Sequence, residues 1–240
     1  MAYIGKTPTP VPLTSSDIVN GIVTGEKLNA DVISSQTALA VAPADTDEFL
    51  ISDAGVLKRL DASLIGGGAT TLLSTSTISS AVAQVDITSN IDSTYKNYMF
   101  VLTDVHAVTD DVRFQMQYYS SSGSPDTGSV YMFGGSGHRS DNSSLNMNST
   151  GTTQGEISIA SCSVDAGHRH NQFVLYLFNP SGTDSYKQMT SIAQQTVGDN
   201  KAAVGTCGIT YKRTVAVTGV RFKMASGNMD RGTFKLYGIS

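Results

Sequence analysis

Alternation of apolar and polar residues between Thr70 and Ser240 is the feature that most restricts the fold of this chain. It is clearest in Met99-Phe100-Val101-Leu102 and in residues 113–118, and Gly, Ser, Asn and Asp residues separate the alternating runs. A period of two is typical of strands with one buried face, because successive side chains of a strand point to opposite sides. The region therefore predicts an all-β domain.

Ten segments of this region have the composition and length of strands. Their spacing predicts two packed sheets, a β-sandwich of the jelly-roll type. Residues 173–178 are apolar throughout, which predicts a central strand covered on both faces. Residues 134–155 are polar and rich in Gly, Ser and Asn, which predicts a large exposed loop. The predicted strands are residues 77–87, 98–105, 112–119, 129–133, 156–163, 172–178, 186–195, 203–211, 215–224 and 233–239.

The first 69 residues have a different character and predict an extended stalk. Residues 1–16 contain Pro8, Pro10 and Pro12, which exclude a helix and favour an extended anchor lying on another protein. Tyr3 and Ile4 belong to the same predicted anchor.

Residues 17–69 form the stalk itself. A short helix from Thr24 is possible, but the segment is too thin to bury its apolar residues within one chain. It could bury them against copies of itself, which predicts a stalk of several chains. The apolar residues concerned are Ile18, Ile22, Leu28, Val32 and Ile33.

A β-hairpin is predicted further along the stalk. Residues 49–51 and 56–60 read as two short strands, and residues 52–55 form the loop, with Gly55 supplying a positive φ. Asp61 is expected to cap a last helical turn. Gly66-Gly67-Gly68 then reads as a linker to the β domain, which begins at residue 70.

Composition excludes several classes of partner. Only 15% of the residues are charged and the net charge is −4, whereas nucleic-acid binding needs clustered Lys and Arg. No apolar run approaches the ~18 residues of a membrane span. The N-terminus lacks the apolar core of a secretory signal, so the chain is expected to be made and kept in the cytoplasm of the expressing cell. No cofactor motif is present.

Two stalk motifs carry a resemblance to a known family. Residues 17–33 read DIVNGIVTGEKLNADVI and are similar to the repeats of fibre shafts, and residues 47–60 read DEFLISDAGVLKRL and are similar to the hairpin that precedes a fibre's head. The chain thus resembles the short tail-fibre and virion-spike proteins of tailed bacteriophages, particularly those of aquatic bacteria. The resemblance implies a homotrimer whose N-terminus binds the virion and whose C-terminal head contacts the host.

Candidates for host contact are tyrosines and polar residues beside the predicted loops of the head. Tyrosine combines a flat apolar face with a polar tip, which suits stacking on sugars. The low charge and the abundance of Ser and Asn suit hydrogen bonding to a glycan. The candidates are Tyr119, Tyr131, His138, Arg139, Asp141 and Asn142.

Three other groups invite a chemical interpretation. His168 and His170 would share one face of a strand and could hold a metal on a trimer axis, but the flanking Gly167 and Asn171 favour a solvated turn. Asp104, Asp110 and Asp111 raise the question of a glycosidase acid pair, although residues 108–111 read as a hairpin turn. Cys162 and Cys207 are expected to be buried, reduced thiols, with a disulfide as the alternative.

The sequence therefore predicts a non-enzymatic, trimeric tail fibre without metal or cofactor. It would attach to the virion by residues 1–16 and bind a host glycan or protein by residues 70–240. A capsid fibre or tail adaptor that binds another virion protein is the second hypothesis, and a glycan depolymerase on the same scaffold is the third.

Overall fold

The computed structural model of the chain describes residues 14, 17–19, 23, 31–41, 43–44, 46–65, 70–120, 123–164, 171–198 and 200–240. Its contacts divide the chain into Met1–Gly66 and Gly67–Ser240, which we call the N-terminal unit and the C-terminal unit. Nearly all regular structure is antiparallel β-sheet, so the all-β prediction is confirmed. Among the described residues, no helix has the length and apolar character needed to cross a membrane.

The N-terminal unit contains the predicted hairpin. Its elements are α1 (Asp31–Ser34), β1 (Glu48–Asp53), β2 (Val56–Asp61) and a 3-10 turn (Ala62–Leu64). Ala54 and Gly55 form a two-residue loop with φ values of 49° and 84°, and positive φ at both positions is what a type I′ turn requires. The 3-10 turn follows Asp61, but the Asp61 side chain makes no capping hydrogen bond, so its predicted capping role is wrong. The possible helix start at Thr24 lies outside the described residues.

Both faces of this hairpin carry exposed apolar side chains. Phe49 and Val56, on one face, are 41% and 58% exposed, and Leu50 and Leu57, on the other, are 76% and 70% exposed. Among the residues that the structure describes, these two strands make up the whole sheet. An isolated two-stranded hairpin is marginally stable in water. The described part of the N-terminal unit therefore has no hydrophobic core of its own.

The described residues of the C-terminal unit form twelve strands in two antiparallel sheets. The larger sheet has the order β3-β14-β5-β10-β11-β12-β7-β8, and the smaller one has the order β4-β13-β6-β9. The strands are β3 (Thr70–Ile78), β4 (Gln84–Ile87), β5 (Asn97–Ala107), β6 (Phe114–Ser120), β7 (Tyr131–Arg139), β8 (Ser144–Thr152), β9 (Gly155–Glu156), β10 (Asn171–Phe178), β11 (Lys187–Val197), β12 (Lys201–Tyr211), β13 (Val217–Met224) and β14 (Met229–Ile239).

Aromatic side chains join the two sheets. The ring centroid of Phe114 in β6 lies 5.0 Å from that of Phe173 in β10, and Phe222 in β13 lies 5.4 Å from Phe100 in β5. All four side chains are buried, and burying a phenylalanine stabilises a fold by about 1.5 to 3 kcal/mol. Because each contact links the eight-stranded sheet to the four-stranded one, the sheets pack face to face around one core.

The prediction of a large exposed loop over residues 134–155 is wrong. Most of it belongs to the β7–β8 hairpin. A Cβ at Gly135 or Gly137 would come within 2.6 Å of Thr206 O or 2.4 Å of Val204 O, so these glycines allow β7 to lie close against β12. The small residues that this close contact needs are also typical of loops. For this reason the sequence did not indicate a strand here.

Two other predicted strands are also revised. Residues 77–87 are divided between β3 and β4, which belong to different sheets. Residues 157–163, predicted as a strand, follow β9 as an irregular segment. Its backbone bonds partly to β6, where Ile157 N donates to Phe114 O over 2.9 Å. Side chains of β11 supply further partners: Ser191 Oγ donates to Ile157 O over 2.8 Å, and Gln195 Oε1 accepts from Ile159 N over 3.0 Å.

Residues 173–178 form most of β10, which is central in the larger sheet as predicted. Only one of its faces is buried. Val174 and Tyr176 are half-buried on the other face, and Phe178 is 42% exposed. The prediction that both faces of this strand are covered is therefore wrong for the single chain. Val174, Tyr176 and Phe178 form an apolar strip on the outer face of the larger sheet.

Candidate ligand-binding site

A cleft of about 540 Å³ opens beside the β7–β8 turn. Groups of both charge signs line it together with two serines: Asp110, Asp111, Arg113, Arg139, Ser161 and Ser163. Residues 108–111 make the predicted turn, but it connects two sheets and is not a hairpin loop, because β5 and β6 lie in different sheets.

Several charged groups of the cleft already hold the backbone around it. Arg113 Nη1 donates to Ile159 O over 2.8 Å, and Val164 N donates to Asp110 Oδ1 over 3.2 Å. Arg139 Nη2 lies 3.6 Å from Asp141 Oδ2. These contacts hold the backbone and the side chains of the cleft walls in place.

Four of the six predicted host-contact residues meet at this turn. Asn142 has a φ of 65° within it. Ser143 N donates to Asp141 Oδ1 over 3.0 Å, and hydrogen bonds from Ser143, together with the nearby Arg139 charge, lower the pKa of Asp141. His138 is exposed on the outer face of the sheet, the opposite side of β7 from Arg139. Only Arg139 of this group lines the cleft.

Tyr131 cannot contact a host receptor, because it is completely buried. Its hydroxyl accepts a hydrogen bond from Tyr118 N over 2.8 Å and donates one to Asp126 O over 2.9 Å. Its ring packs against those of Tyr118 and Tyr211. Burial raises the pKa of Tyr131 well above its usual value. This tyrosine is a core residue that also fixes the loop after β6.

Tyr119 is also unavailable for stacking, being 6% exposed. Arg221 Nη2 donates to its hydroxyl over 2.7 Å, and the Arg221 guanidinium lies 5.5 Å from the ring centroid. Arg221 also makes two hydrogen bonds to Asp86, of 2.8 and 3.0 Å. The ring therefore belongs to a structural cation–π and ion-pair cluster on the outer face of the smaller sheet.

The two cysteines are free and buried, as expected. Burial raises the pKa of Cys162 to about 12 and that of Cys207 to about 12. A thiol needs a lowered pKa to act as a nucleophile near neutral pH, so both are structural.

The proposed acid pair does not assemble around Asp104. Asp104 lies in β5 with a φ of 58°, its carboxylate is 3.6 Å from Arg231 Nε, and it does not line the cleft. Within the described part of the chain, no three His, Cys, Asp or Glu side chains cluster closely enough for a metal. His168 and His170 lie outside it.

Most of the predicted stalk and anchor residues also lie outside the described residues. This applies to Tyr3, Ile4, Pro8, Pro10, Pro12, Ile22 and Leu28. Val32 lies in α1. Ile18 and Ile33 are described and are 48% and 82% exposed.

A second candidate surface is the outer face of β12, β7 and β8, which sequence reasoning missed. Gly208 and Gly134 are directly paired there and leave bare backbone between two rows of side chains. We call this feature the glycine trough. One row is Thr206, Ser136 and Asn146, and the other is Thr210, Met132 and Thr150. The Gly and Ser residues of 134–137 predict a loop, and residues 203–211 predict a strand, so the sequence does not indicate that Gly134 and Gly208 pair.

Comparison of the chain with models of known families, with curated proteins and with solved structures found no match.

Proposed function

We propose that this protein is a structural component of a phage virion, a short trimeric tail fibre assembled in the cytoplasm of the host bacterium. Residues 1–16 anchor it to the particle, the N-terminal unit trimerises, and the C-terminal unit binds a host-surface receptor, in the first place a glycan. The observation that carries this proposal is the exposure of the apolar side chains in the N-terminal unit of the single chain.

The exposure extends along the whole described part of that unit. Ile33, Val41 and Leu50 are 82%, 72% and 76% exposed, and Leu39, Leu57 and Leu64 are each at least 65% exposed. A segment that buries so little within one chain stays folded by burying these residues against other chains. The resemblance of residues 17–33 to fibre-shaft repeats, and of residues 47–60 to the hairpin that precedes a fibre's head, supports a trimer.

The topology of the C-terminal unit supports a jelly-roll-like head. β3 pairs with β14 in the larger sheet, and β4 pairs with β13 in the smaller one. Successive strand pairs that alternate between two sheets are what winding a long hairpin into a jelly roll produces. We assign the additional strands of the larger sheet to an enlarged outer surface.

Attachment by several copies suits the features of this surface. The structural thiols, the engaged carboxylates and the scarcity of charge favour reversible hydrogen-bonded contacts over catalysis, so we propose no enzymatic activity. Linking three heads in one fibre raises their effective concentration at a surface and strengthens attachment by about 10² to 10⁴ over a single head.

The mass of the full chain in solution tests the proposal. We expect three times the chain mass of 25.3 kDa at micromolar concentration. Leu50→Asp with Leu57→Asp places charges on one exposed face of the hairpin and is expected to give a monomer, because a buried unpaired charge is strongly unfavourable. Light scattering or native mass spectrometry measures this.

Ser79→Asp with Ser80→Asp is the matched control. It adds the same charge at exposed positions of the C-terminal unit and should leave the trimer intact. A monomeric wild-type chain would contradict the trimer, and a trimeric Leu50/Leu57 variant would place the contact elsewhere.

The two other hypotheses have separate tests. Labelling of the particle distinguishes a tail fibre from a capsid fibre or tail adaptor. The depolymerase hypothesis draws on Asp110 and Asp111, which line the cleft. Oligosaccharides released from host polysaccharide by the wild-type chain, and lost with Asp111→Asn, would establish it against our proposal.

A further inference from the structure

Neither the packing nor the backbone conformation requires glycine at the two paired positions of the trough. A Cβ at Gly134 would meet no atom within 4 Å, and one at Gly208 would meet only Gly134 O, at 3.9 Å. Neither glycine is among those with a positive φ. Gly205, on the same strand as Gly208, differs, because its Cβ would lie 2.5 Å from Ser136 O.

An unnecessary glycine in a strand has a cost. Each one destabilises the fold by about 0.5 to 1 kcal/mol relative to alanine, because it loses more backbone freedom on folding. Glycine inside a strand often marks a place where a ligand or another backbone approaches closely. Two such glycines, facing each other across neighbouring strands, indicate that a ligand or another chain approaches the backbone of this face.

The rows on either side offer hydrogen-bonding groups with no charge. The side chains of Ser136, Asn146, Thr150, Thr206 and Thr210 form no hydrogen bond with any residue that the structure describes. Each row lies two residues from the glycines along the strands, about 6.6 to 6.8 Å away. None of the side chains on the outer face of β12, β7 and β8 is Asp, Glu, Lys or Arg.

A tyrosine lies beyond one end of the trough. Tyr176 is opposite Thr190, which in turn is opposite Gly208, so the three occupy one row across β10, β11 and β12. Tyr176 is half-buried, and the strand spacing of about 4.8 Å places it roughly two strands from the bare backbone. At the opposite end of the row, Asn148 is paired with Gly134.

We propose that the glycine trough is the site where the C-terminal unit binds an uncharged polysaccharide. This inference rests on the proposed attachment function and names its surface and ligand class. One face of a sugar ring can lie on the bare backbone of Gly134 and Gly208, and its hydroxyls meet the hydroxyls and the Asn146 amide of the two rows. Tyr176 provides a stacking face for the next sugar. An acidic glycan would need cations that the trough lacks.

Filling the trough tests the site without damaging the fold. In the full chain, Gly134→Val with Gly208→Val places each Cβ no closer than 3.9 Å to another atom and adds residues that favour strands, so unfolding should occur at the same or a higher denaturant concentration. Thr103→Val is the control, an exposed position on the outer face of β5 in the same sheet. The probes are dextran, mannan and neutral host-cell polysaccharide, with alginate as the acidic comparison, each immobilised for biolayer interferometry.

We expect the wild-type chain to bind at least one neutral probe and not alginate. Binding should be about tenfold weaker in the glycine double variant and unchanged in Thr103→Val. It should also change little between about 0.05 and 0.5 M salt, because screening acts on charges.

Three results would overturn the site. Unchanged binding by the double variant places the receptor surface elsewhere, and loss of binding with Arg139→Ala alone identifies the charged cleft instead; both leave the attachment function standing. A lower mass of the double variant identifies a second copy of the chain as the occupant. A wild-type chain that binds neither these probes nor host cells refutes the attachment function itself.

Discussion

Replacing Gln195 with leucine is expected to lower the free energy of unfolding of the C-terminal unit by about 3 to 5 kcal/mol. Gln195 is buried in β11, and its Oε1 accepts hydrogen bonds from Ile159 N (3.0 Å) and Ala160 N (3.1 Å). Its Nε2 donates to Ala160 O over 2.9 Å and lies 3.6 Å from Cys162 Sγ. Leucine would leave two backbone amides and one carbonyl buried without these partners, at about 1 to 3 kcal/mol for each unsatisfied group.

Urea unfolding followed by circular dichroism measures this loss. Gln194→Leu is the matched control, because it makes the same change one residue earlier on the exposed face of the same strand. It should alter the free energy of unfolding by no more than about 0.5 kcal/mol. Similar losses in the two variants would show that Gln195 does not hold the irregular segment.

Replacing Asp126 with alanine is expected to destabilise the C-terminal unit by about 2 to 4 kcal/mol. Asp126 Oδ2 accepts hydrogen bonds from Tyr211 Oη (2.7 Å) and Arg213 Nε (2.6 Å), and Oδ1 accepts one from Gly128 N (2.8 Å). Alanine would remove two contacts that tie the β6–β7 connection to Tyr211 at the end of β12 and to Arg213 just after it, and one contact within the connection itself. Thr127→Ala, at an exposed position of the same loop, should have little effect.

The effect of Asp126 should depend on pH. Burial would raise the pKa of Asp126, but hydrogen bonds from Arg213, Gly128 and Tyr211 outweigh it and lower the pKa below its usual value of 3.8. A carboxyl group with a lowered pKa stabilises the folded state above its unfolded pKa, and the contribution is lost as the pH falls through the folded value. The difference in urea midpoint between the wild type and Asp126→Ala should therefore be smaller at about pH 3 than at about pH 7. A difference that persists undiminished in acid would contradict a role for the Asp126 charge.

Local patterns were sufficient for the hairpin of the N-terminal unit. Residues 49–51 and 56–60 are short apolar runs on either side of a glycine turn, and turn chemistry acts over neighbouring residues. Exposure of the apolar side chains there was also predictable, because the segment contains too few of them to surround one another. The irregular segment after β9 was not predictable: Ile157 and Ile159 alternate with serines like strand residues, while Ile157 O and Ile159 N bond to side chains of β11 more than thirty residues away.

The candidate site likewise combines features that the sequence predicts with features that depend on distant contacts. Tyr131 and Arg139 are both in β7, eight positions apart and therefore on the same side of the strand, yet one is buried in the core and the other lines a cleft. Composition suggested surface roles for both. Their difference depends on which part of the smaller sheet and its loops covers each end of β7.

By itself the sequence determined that the chain is an all-β protein with a hairpin-bearing N-terminal segment, because the period of two and the turn residues are local properties of the backbone. Only the tertiary structure decided which tyrosines are core residues, which glycines are needed for packing and which two glycines form the trough. Those distinctions depend on strand register and on which face meets the second sheet, and both arise from contacts between residues far apart in the chain.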